Sequence, residues 1–273
     1  MKNKLIIVLL IFILLPITSC NGSSDKEEIV SIQTPLPSKE DSQMLLLEKL
    51  TLNLPEEIRK TILDDVHGFM DQISLVLDLP VDTLLMADKQ HSLGTDYIPE
   101  DIVMLTDYPQ LTLSRNDRSL RKILIQDLLF MVEDAGMEGL TLVISSAYRS
   151  YAYQDRLFNW NVEQNGMETA ERESARPGTS QHQLGTAIDF GSITDEYAFT
   201  SAGMWLLENA WKYGFSLSYP DGYEYLTGYR YECWHFRYIT PAAAKLQRDY
   251  FGDIQYYLLL FINDKREELE SLL

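Results

Sequence analysis

Two short segments of this 273-residue chain hold side chains of the kinds that could build a hydrolytic metal centre. Ser180-Gln181-His182-Gln183-Leu184-Gly185-Thr186-Ala187-Ile188-Asp189 carries one histidine and one carboxylate. Glu232-Cys233-Trp234-His235 carries another of each, so the segments share two of only four histidines. Zinc accepts imidazole nitrogen and carboxylate oxygen, and a catalytic zinc keeps three protein ligands and one open position. His182, Asp189 and His235 can supply the three, with Gly185 letting the chain turn back between the first two. Glu232 is then the spare carboxylate. Its place in the chemistry is to take a proton from water and return it to a leaving amine.

Strand geometry sets a condition on this arrangement. Residues three apart on a regular strand face opposite sides, so Glu232 and His235 reach one metal only if the chain is bent around Cys233. On an ideal strand Cys233 would share a face with His235 and stand as a rival ligand, although thiolate-rich zinc sites tend to be structural and closed. A histidine near an aspartate is more often a packed pair than a ligand set, and ExxH or HxxxxxxD alone is weak; together, flanked by Gly and Trp, they are specific. A third cluster, Ser146-Ala147-Tyr148-Arg149-Ser150-Tyr151 with Gln154, adds a guanidinium that could face a carboxylate or a developing oxyanion. In so acidic a chain Arg149 by itself would read as a surface ion pair. His67 and His91 have no ligand-spaced neighbours and read as surface or packing residues.

The elements that must hold these residues are short strands mixed with helices. Leu140–Ile144, Thr186–Phe190, Phe215–Tyr219 and Trp234–Tyr238 read as strands, with YPDGYEYLTG as a loop between the last two. Residues 116–135 carry a helical stripe from Leu120 to Ala135, with Gly136 at the position after the helix. A second helix begins near Tyr151, residues 172–184 read as a loop, and Ala202–Tyr213 reads as a helix stopped by Gly214. Thr240-Pro241 is an N-cap and first-turn pair for a helix through Tyr250. Residues 43–80 and 250–273 show helical periodicity and form N- and C-terminal extensions, with Pro55 opening a second helix in the first of them. The absence of regular strand–helix alternation predicts an α+β fold with a small, mainly antiparallel sheet and flanking helices. The two extensions could cover each other's apolar stripes.

Composition narrows the function classes. With 45% hydrophobic and 23% charged residues, the chain has the make-up of a globular protein. A net charge of −18 is repelled by phosphate backbones, which disfavours nucleic acid as a partner. Two cysteines, Cys20 and Cys233, give no disulfide framework. Residues 1–19 combine Lys2 and Lys4 with an unbroken apolar run from Leu5 to Leu15, the pattern of a signal peptide. Its end, Ile17-Thr18-Ser19-Cys20, resembles the bacterial lipoprotein box, which implies cleavage before Cys20 and lipid on that residue; an ordinary leader or an uncleaved anchor is the alternative. Each places the remainder outside the cytoplasmic membrane. Residues 20–42 read as a flexible tether.

SAYRSYAYQDRLF, ARPGTSQHQLGTAIDF, WLLENAWKYGFSLSYP and TGYRYECWHFRYI together resemble the VanY-type zinc D-alanyl-D-alanine carboxypeptidases and their L,D-carboxypeptidase relatives. Both belong to a wider group with lysostaphin-type enzymes and the hedgehog domain. The resemblance runs from about residue 84 to about residue 244 and implies a zinc carboxypeptidase domain over residues 84–249 of that α+β fold, with one zinc ion per chain. It implies His182, Asp189 and His235 as metal ligands and Glu232 as general base and acid. Arg149 would stabilise the transition state or hold the substrate, and Gln154 and Ser180 would contact the terminal D-alanine. The expected function is removal of a C-terminal D-alanine from peptidoglycan stem peptides, of D,D or L,D type, by a lipid-anchored protein of the cell envelope. An endopeptidase of the same group and a zinc-stabilised binding lipoprotein are the alternatives. Gln181 stands where Glu is common, and Cys233 where Pro is common.

Overall fold

The computed structural model describes residues 39–273; the expected leader, Cys20 and the tether up to residue 38 lie outside the described residues. Three helices come first: α1 (Lys39–Leu50), α2 (Glu56–Asp64) and α3 (Val66–Leu77). Helix α1 thus begins ahead of the expected position 43. Pro55 sits at the N-cap of α2. A break at Asp65, not foreseen from periodicity, separates α2 from α3; its carboxylate accepts from the Gly68 N–H at 3.0 Å and caps the new helix.

The central part follows as β1 (Ile102–Met104), β2 (Thr112–Leu113), β3 (Ser119–Arg121), α4 (Ile125–Met137), β4 (Val143–Ser146), α5 (Tyr151–Asn165), α6 (Met167–Glu173), β5 (Ala187–Phe190), α7 (Ser201–Asn209), β6 (Phe215–Leu217), α8 (Glu224–Thr227) and β7 (His235–Tyr238). The chain closes with α9 (Pro241–Tyr250) and α10 (Gln255–Glu270). Strands pair in the order β2-β4-β5-β7-β6, antiparallel except for the β2–β4 pair, while β1 and β3 form a separate two-stranded ribbon. This is the expected α+β class with a mainly antiparallel sheet.

Several boundaries differ from the sequence reading for local reasons. The stripe at 116–135 is helical only from Ile125; Ser119–Arg121 instead pair with β1, placing Leu120 opposite Val103. A strand and a short turn deliver Leu120 and Leu124 to the same core that a helix would have used, so periodicity could not separate the two. Arg121 anchors the strand through Asp101 at 2.6 Å and Asp82 at 2.8 Å. Gly136 lies inside α4, and the left-handed residue that follows the helix is Gly139. The loop at 172–184 is entered through the end of α6 and contains a 3-10 turn over Gln181–Leu184. The predicted helix to Tyr213 is α7 followed by a 3-10 turn, stopped by left-handed Gly214. Thr240 caps α9 through the Ala243 N–H, with Pro241 in the first turn, as the sequence predicts.

Two apolar cores result. One lies under the sheet and includes Leu128, Ile144, Ile188, Phe190, Leu206 and Phe236. The other packs the N-terminal helices against α9 and α10, with Phe69 against the rings of Tyr250, Phe251 and Phe261. Strand β7 joins the two parts. Its Arg237 is fully buried and donates to the carbonyls of Thr83 and Leu85, in the segment following α3. Burial pushes that guanidinium's pKa down to about 10.

Candidate metal centre and substrate cleft

Strand register assembles the site. Ser146 pairs with Asp189, and Asp189 pairs with His235, so β4, β5 and β7 each place one polar residue in a single cross-strand row. Directly opposed residues on antiparallel strands share a face. His182 enters from the 3-10 turn before β5, where Ser180 Oγ accepts from its backbone N–H at 3.3 Å. Gly185 takes the left-handed conformation at the end of that turn, with φ 71°. A Cβ there would approach Ile102 Cδ1 and Arg121 Cγ to 2.8 and 2.9 Å. The bend expected between His182 and Asp189 therefore needs glycine on both backbone and steric grounds.

Donor atoms of His182, Asp189 and His235 all lie within 4.8 Å of one another, and all three residues are buried. The Asp189 carboxylate is their meeting point. Its Oδ2 lies 3.2 Å from His182 Nε2 and its Oδ1 2.9 Å from His235 Nδ1. His182 Nδ1 sits 2.7 Å from the carbonyl of Ala147. That carbonyl accepts a hydrogen bond from the Nδ1–H and leaves the Nε2 lone pair for a cation. Burial, then the Arg149 charge, lowers the His182 pKa to about 4, so the ring is neutral near pH 7. For Asp189 burial acts upward, but His182, His235 and Arg149 outweigh it and hold the carboxyl well below its usual range. Two neutral-capable imidazoles and one ionised carboxylate form a donor set that fits a catalytic zinc with an open position.

The condition on Glu232 is met by a turn. Residues 233–234 are not strand, and the His235 N–H bonds back to the Glu232 carbonyl at 3.1 Å. Glu232 Oε2 thereby comes within 3.8 Å of His235 Nδ1. Burial first, and the Asp189 charge second, push its carboxyl pKa up to about 8. The same turn aims Cys233 elsewhere: its Sγ faces the carbonyls of Thr194 and Asp195 at 3.6 and 3.9 Å, within the sheet core. Cys233 therefore does not join the ligand group.

Arg149 comes from the segment between β4 and α5. Its Nε donates to Ser146 Oγ at 3.0 Å and its Nη2 to Asp189 Oδ2 at 2.7 Å, which fixes the fork beside the metal-ligand group. A cleft of about 350 Å³ opens over these groups and is lined by Arg149, Ser180, His182, Asp189, Glu232 and His235. Trp160, Tyr229 and Arg230 also line it. Gln154 is not among the lining residues. It is buried on α5 and donates to the carbonyl of Ala175 at 2.7 Å, behind the cleft wall. Its amide oxygen has no partner among the described residues. His67 is exposed on α3, whereas His91 pairs with Asp88 at 2.9 Å and closes a turn.

Sequence reasoning passed over the supports of His235. Tyr219 lies against its ring at 4.8 Å between centroids. Gln181, noted only as a departure from a family pattern, accepts from His235 Nε2 at 3.1 Å. Nothing in the spacing of Tyr219 or Gln181 marks them, since Tyr219 reaches His235 through the pairing of β6 with β7 and Gln181 through the pairing of β5 with β7.

Comparison with known proteins gives a consistent picture. The VanY family model, described as D-alanyl-D-alanine carboxypeptidase, matches residues 117–241. The putative carboxypeptidase YodJ of Bacillus subtilis is 36% identical over 180 residues, covering 62% of this chain and 64% of that protein. The chain thus spans less than two thirds of this relative's length. Among solved structures, the LdcB LD-carboxypeptidase matches with 33% identity and a TM-score of 0.59, over 66% of this chain and 86% of that one. A VanY D,D-pentapeptidase variant from a VanB-type resistance cassette, solved with Zn(II), matches with 26% identity and a TM-score of 0.54. That match covers 66% of this chain and 99% of the other.

Proposed function

We propose, from the premise that this chain belongs to the D-alanyl-D-alanine carboxypeptidase family, that it is a zinc enzyme removing a C-terminal D-alanine from peptidoglycan stem peptides. The observation that carries the proposal is the convergence of His182, Asp189 and His235 on the floor of a cleft that also presents Glu232 and Arg149. These three ligands would hold one zinc. When bound, zinc supplies Lewis acidity to the scissile carbonyl and lowers the pKa of water.

The chain's own residues do the rest. Glu232 takes the proton of the attacking water and delivers it to the leaving amine. A carboxyl pKa raised towards neutrality suits both halves of that task. Arg149, braced by Ser146 and Asp189, offers its guanidinium to the oxyanion that develops at the carbonyl. Ser180 bounds the cleft beside His182, where the terminal D-alanine would lie. Gln154 reaches the same region only through Ala175. Carboxypeptidase action on peptidoglycan peptides is further supported by the likeness to LdcB and to the zinc-bound VanY D,D-pentapeptidase. The leader-like run and the Ile17–Cys20 box support a cell-envelope location with a lipid anchor on Cys20.

The test is mass spectrometry of defined muropeptides incubated with residues 24–273, with and without a chelator. Loss of one alanine from a pentapeptide, abolished by chelator, would establish a D,D-carboxypeptidase. Loss only from a tetrapeptide would establish the L,D type. Zinc-loaded protein that cleaves neither would overturn the carboxypeptidase reading in favour of an endopeptidase or a binding protein.

A further inference from the structure

The first residue of α10 lies directly behind the candidate metal centre, at one end of a hydrogen-bond chain that finishes on His235. Gln255 is 1% exposed. Its Nε2 donates to the backbone carbonyl of Ser216 on β6 at 3.2 Å. A backbone carbonyl can only accept, so this contact fixes the sense of the amide, nitrogen towards β6 and oxygen towards the site. Gln255 Oε1 then accepts from Gln181 Nε2 at 3.3 Å. With its nitrogen committed there, Gln181 turns its Oε1 to Ser218 Oγ at 2.7 Å and to His235 Nε2 at 3.1 Å. An amide oxygen can only accept, so His235 must carry a proton on Nε2, and a neutral imidazole carries one proton. The Nδ1 lone pair is left facing the group formed with Asp189 and His182.

We propose that α10 is a working part of the metal centre: Gln255 positions Gln181, which holds His235 with Nε2 protonated and Nδ1 presented to the metal. The proposal rests on the metal-centre reading above. It gives a role to a helix outside the 117–241 segment that matches the family model. It also explains why an amide suits position 181 in this chain. A carboxylate there would set an oxygen against Gln255 Oε1, with no proton between them. Gln181 and Gln255 are positioning residues, since neither offers an atom to the metal or the substrate. Their effect is to remove the alternative in which Gln181 flips, its nitrogen faces His235, and the proton moves to Nδ1 where the lone pair is needed.

Two substitutions separate this role from mere packing. Gln255→Met keeps the side-chain length and loses the polarity. Gln255→Glu, protonated in its buried setting, keeps both an acceptor for Gln181 and a donor for Ser216. Zinc dissociation constants are measured on the purified full chain by competition with a chromophoric chelator. The Met variant is expected to bind zinc about tenfold more weakly, the loss typical of removing an outer partner of a metal-bound histidine. The Glu variant is expected to stay within about threefold of the parent. A role in packing alone predicts no difference in zinc affinity between the two folded variants, because both side chains fill nearly the same volume. Equal zinc affinity in the parent and the Met variant overturns the proposal. Should the variants fail to fold, long-range proton–nitrogen correlation spectra of the zinc-loaded parent decide. A proton on His235 Nε2 supports the relay, and a proton on Nδ1 overturns it. A parent chain that binds no zinc overturns the metal-centre reading itself, a different result from zinc binding that ignores Gln255.

Discussion

Glu232 is the residue whose chemistry and stability pull hardest against each other. In the unfolded chain its carboxyl loses its proton near pH 4.5, while in the metal-free fold burial and Asp189 hold the proton to about pH 8. Between those values the folded state binds more protons than the unfolded state, so this residue's contribution to stability falls as pH rises. Below about pH 4.5 both states are protonated and no penalty remains. Replacing Glu232 by Gln removes the ionisable group and keeps the shape. The chelator-treated Glu232→Gln protein is therefore expected to be more stable than its parent at pH 7.5, by up to about 4 kcal/mol, with the gain shrinking towards pH 4.5. Urea unfolding at several pH values checks this, and equal midpoints at pH 7.5 would count against a buried, proton-retaining Glu232. The same variant is expected to lose turnover by at least about a hundredfold in the muropeptide assay, since it can neither accept nor return a proton. At this scale the convergence was legible: residue type and spacing singled out His182, Asp189, Glu232 and His235, and the structure brings these side chains together through the turn that Glu232 and His235 require. The anchoring of Gln181 by Ser218 and Gln255 was not legible, because those residues meet only through sheet order.

The turn that carries His182 into β5 shows how an element fixes a site. Its end depends on Gly185, left-handed and pressed between Ile102 and Arg121 of the β1–β3 ribbon. Alanine at this position meets both a disfavoured backbone region and two close contacts. Gly185→Ala is expected to cost about 1–3 kcal/mol, read by urea unfolding. It should also weaken zinc binding, because His182 and Asp189 lie on either side of the strained residue. Unchanged zinc affinity in the folded variant would mean that the turn can relax without moving the ligands. The bend at Gly185 was readable from sequence, and so was the Thr240-Pro241 start of α9, because each uses a residue whose backbone preference is strong and local. The ribbon beneath the turn was not. Leu120 belongs equally well to a helical stripe and to a short strand, and only its pairing with Val103 decides between them.

Across the described residues, the N-terminal helices and α9–α10 bury one apolar core beside the sheet, and β7 and α10 tie that core to the group formed by His182, Asp189 and His235. If residues 1–20 act as a lipoprotein leader, Cys20→Ala should move the protein from the membrane fraction to the soluble envelope fraction with muropeptide cleavage intact. Retention of the variant in membranes would contradict the lipid anchor on Cys20. The helical core allows a sharper test of how far the parts depend on each other. Phe69 is fully buried and packs against rings from both closing helices. Truncating such a side chain to alanine costs about 3–5 kcal/mol. Phe69 belongs to the helical core and is not among the residues lining the cleft, so a core that merely sat beside the sheet would lose its own stability and leave the candidate metal centre alone. A core that supports the centre through Gln255 and the Arg237 contacts makes a different prediction. The Phe69→Ala protein should lower the denaturant midpoint for helix loss and for zinc release together, as one transition. Circular dichroism and a zinc-sensitive dye followed in the same urea titration distinguish the two. Coincident curves indicate one cooperative unit, whereas zinc retained beyond the loss of helix indicates a sheet that holds its ligands unaided.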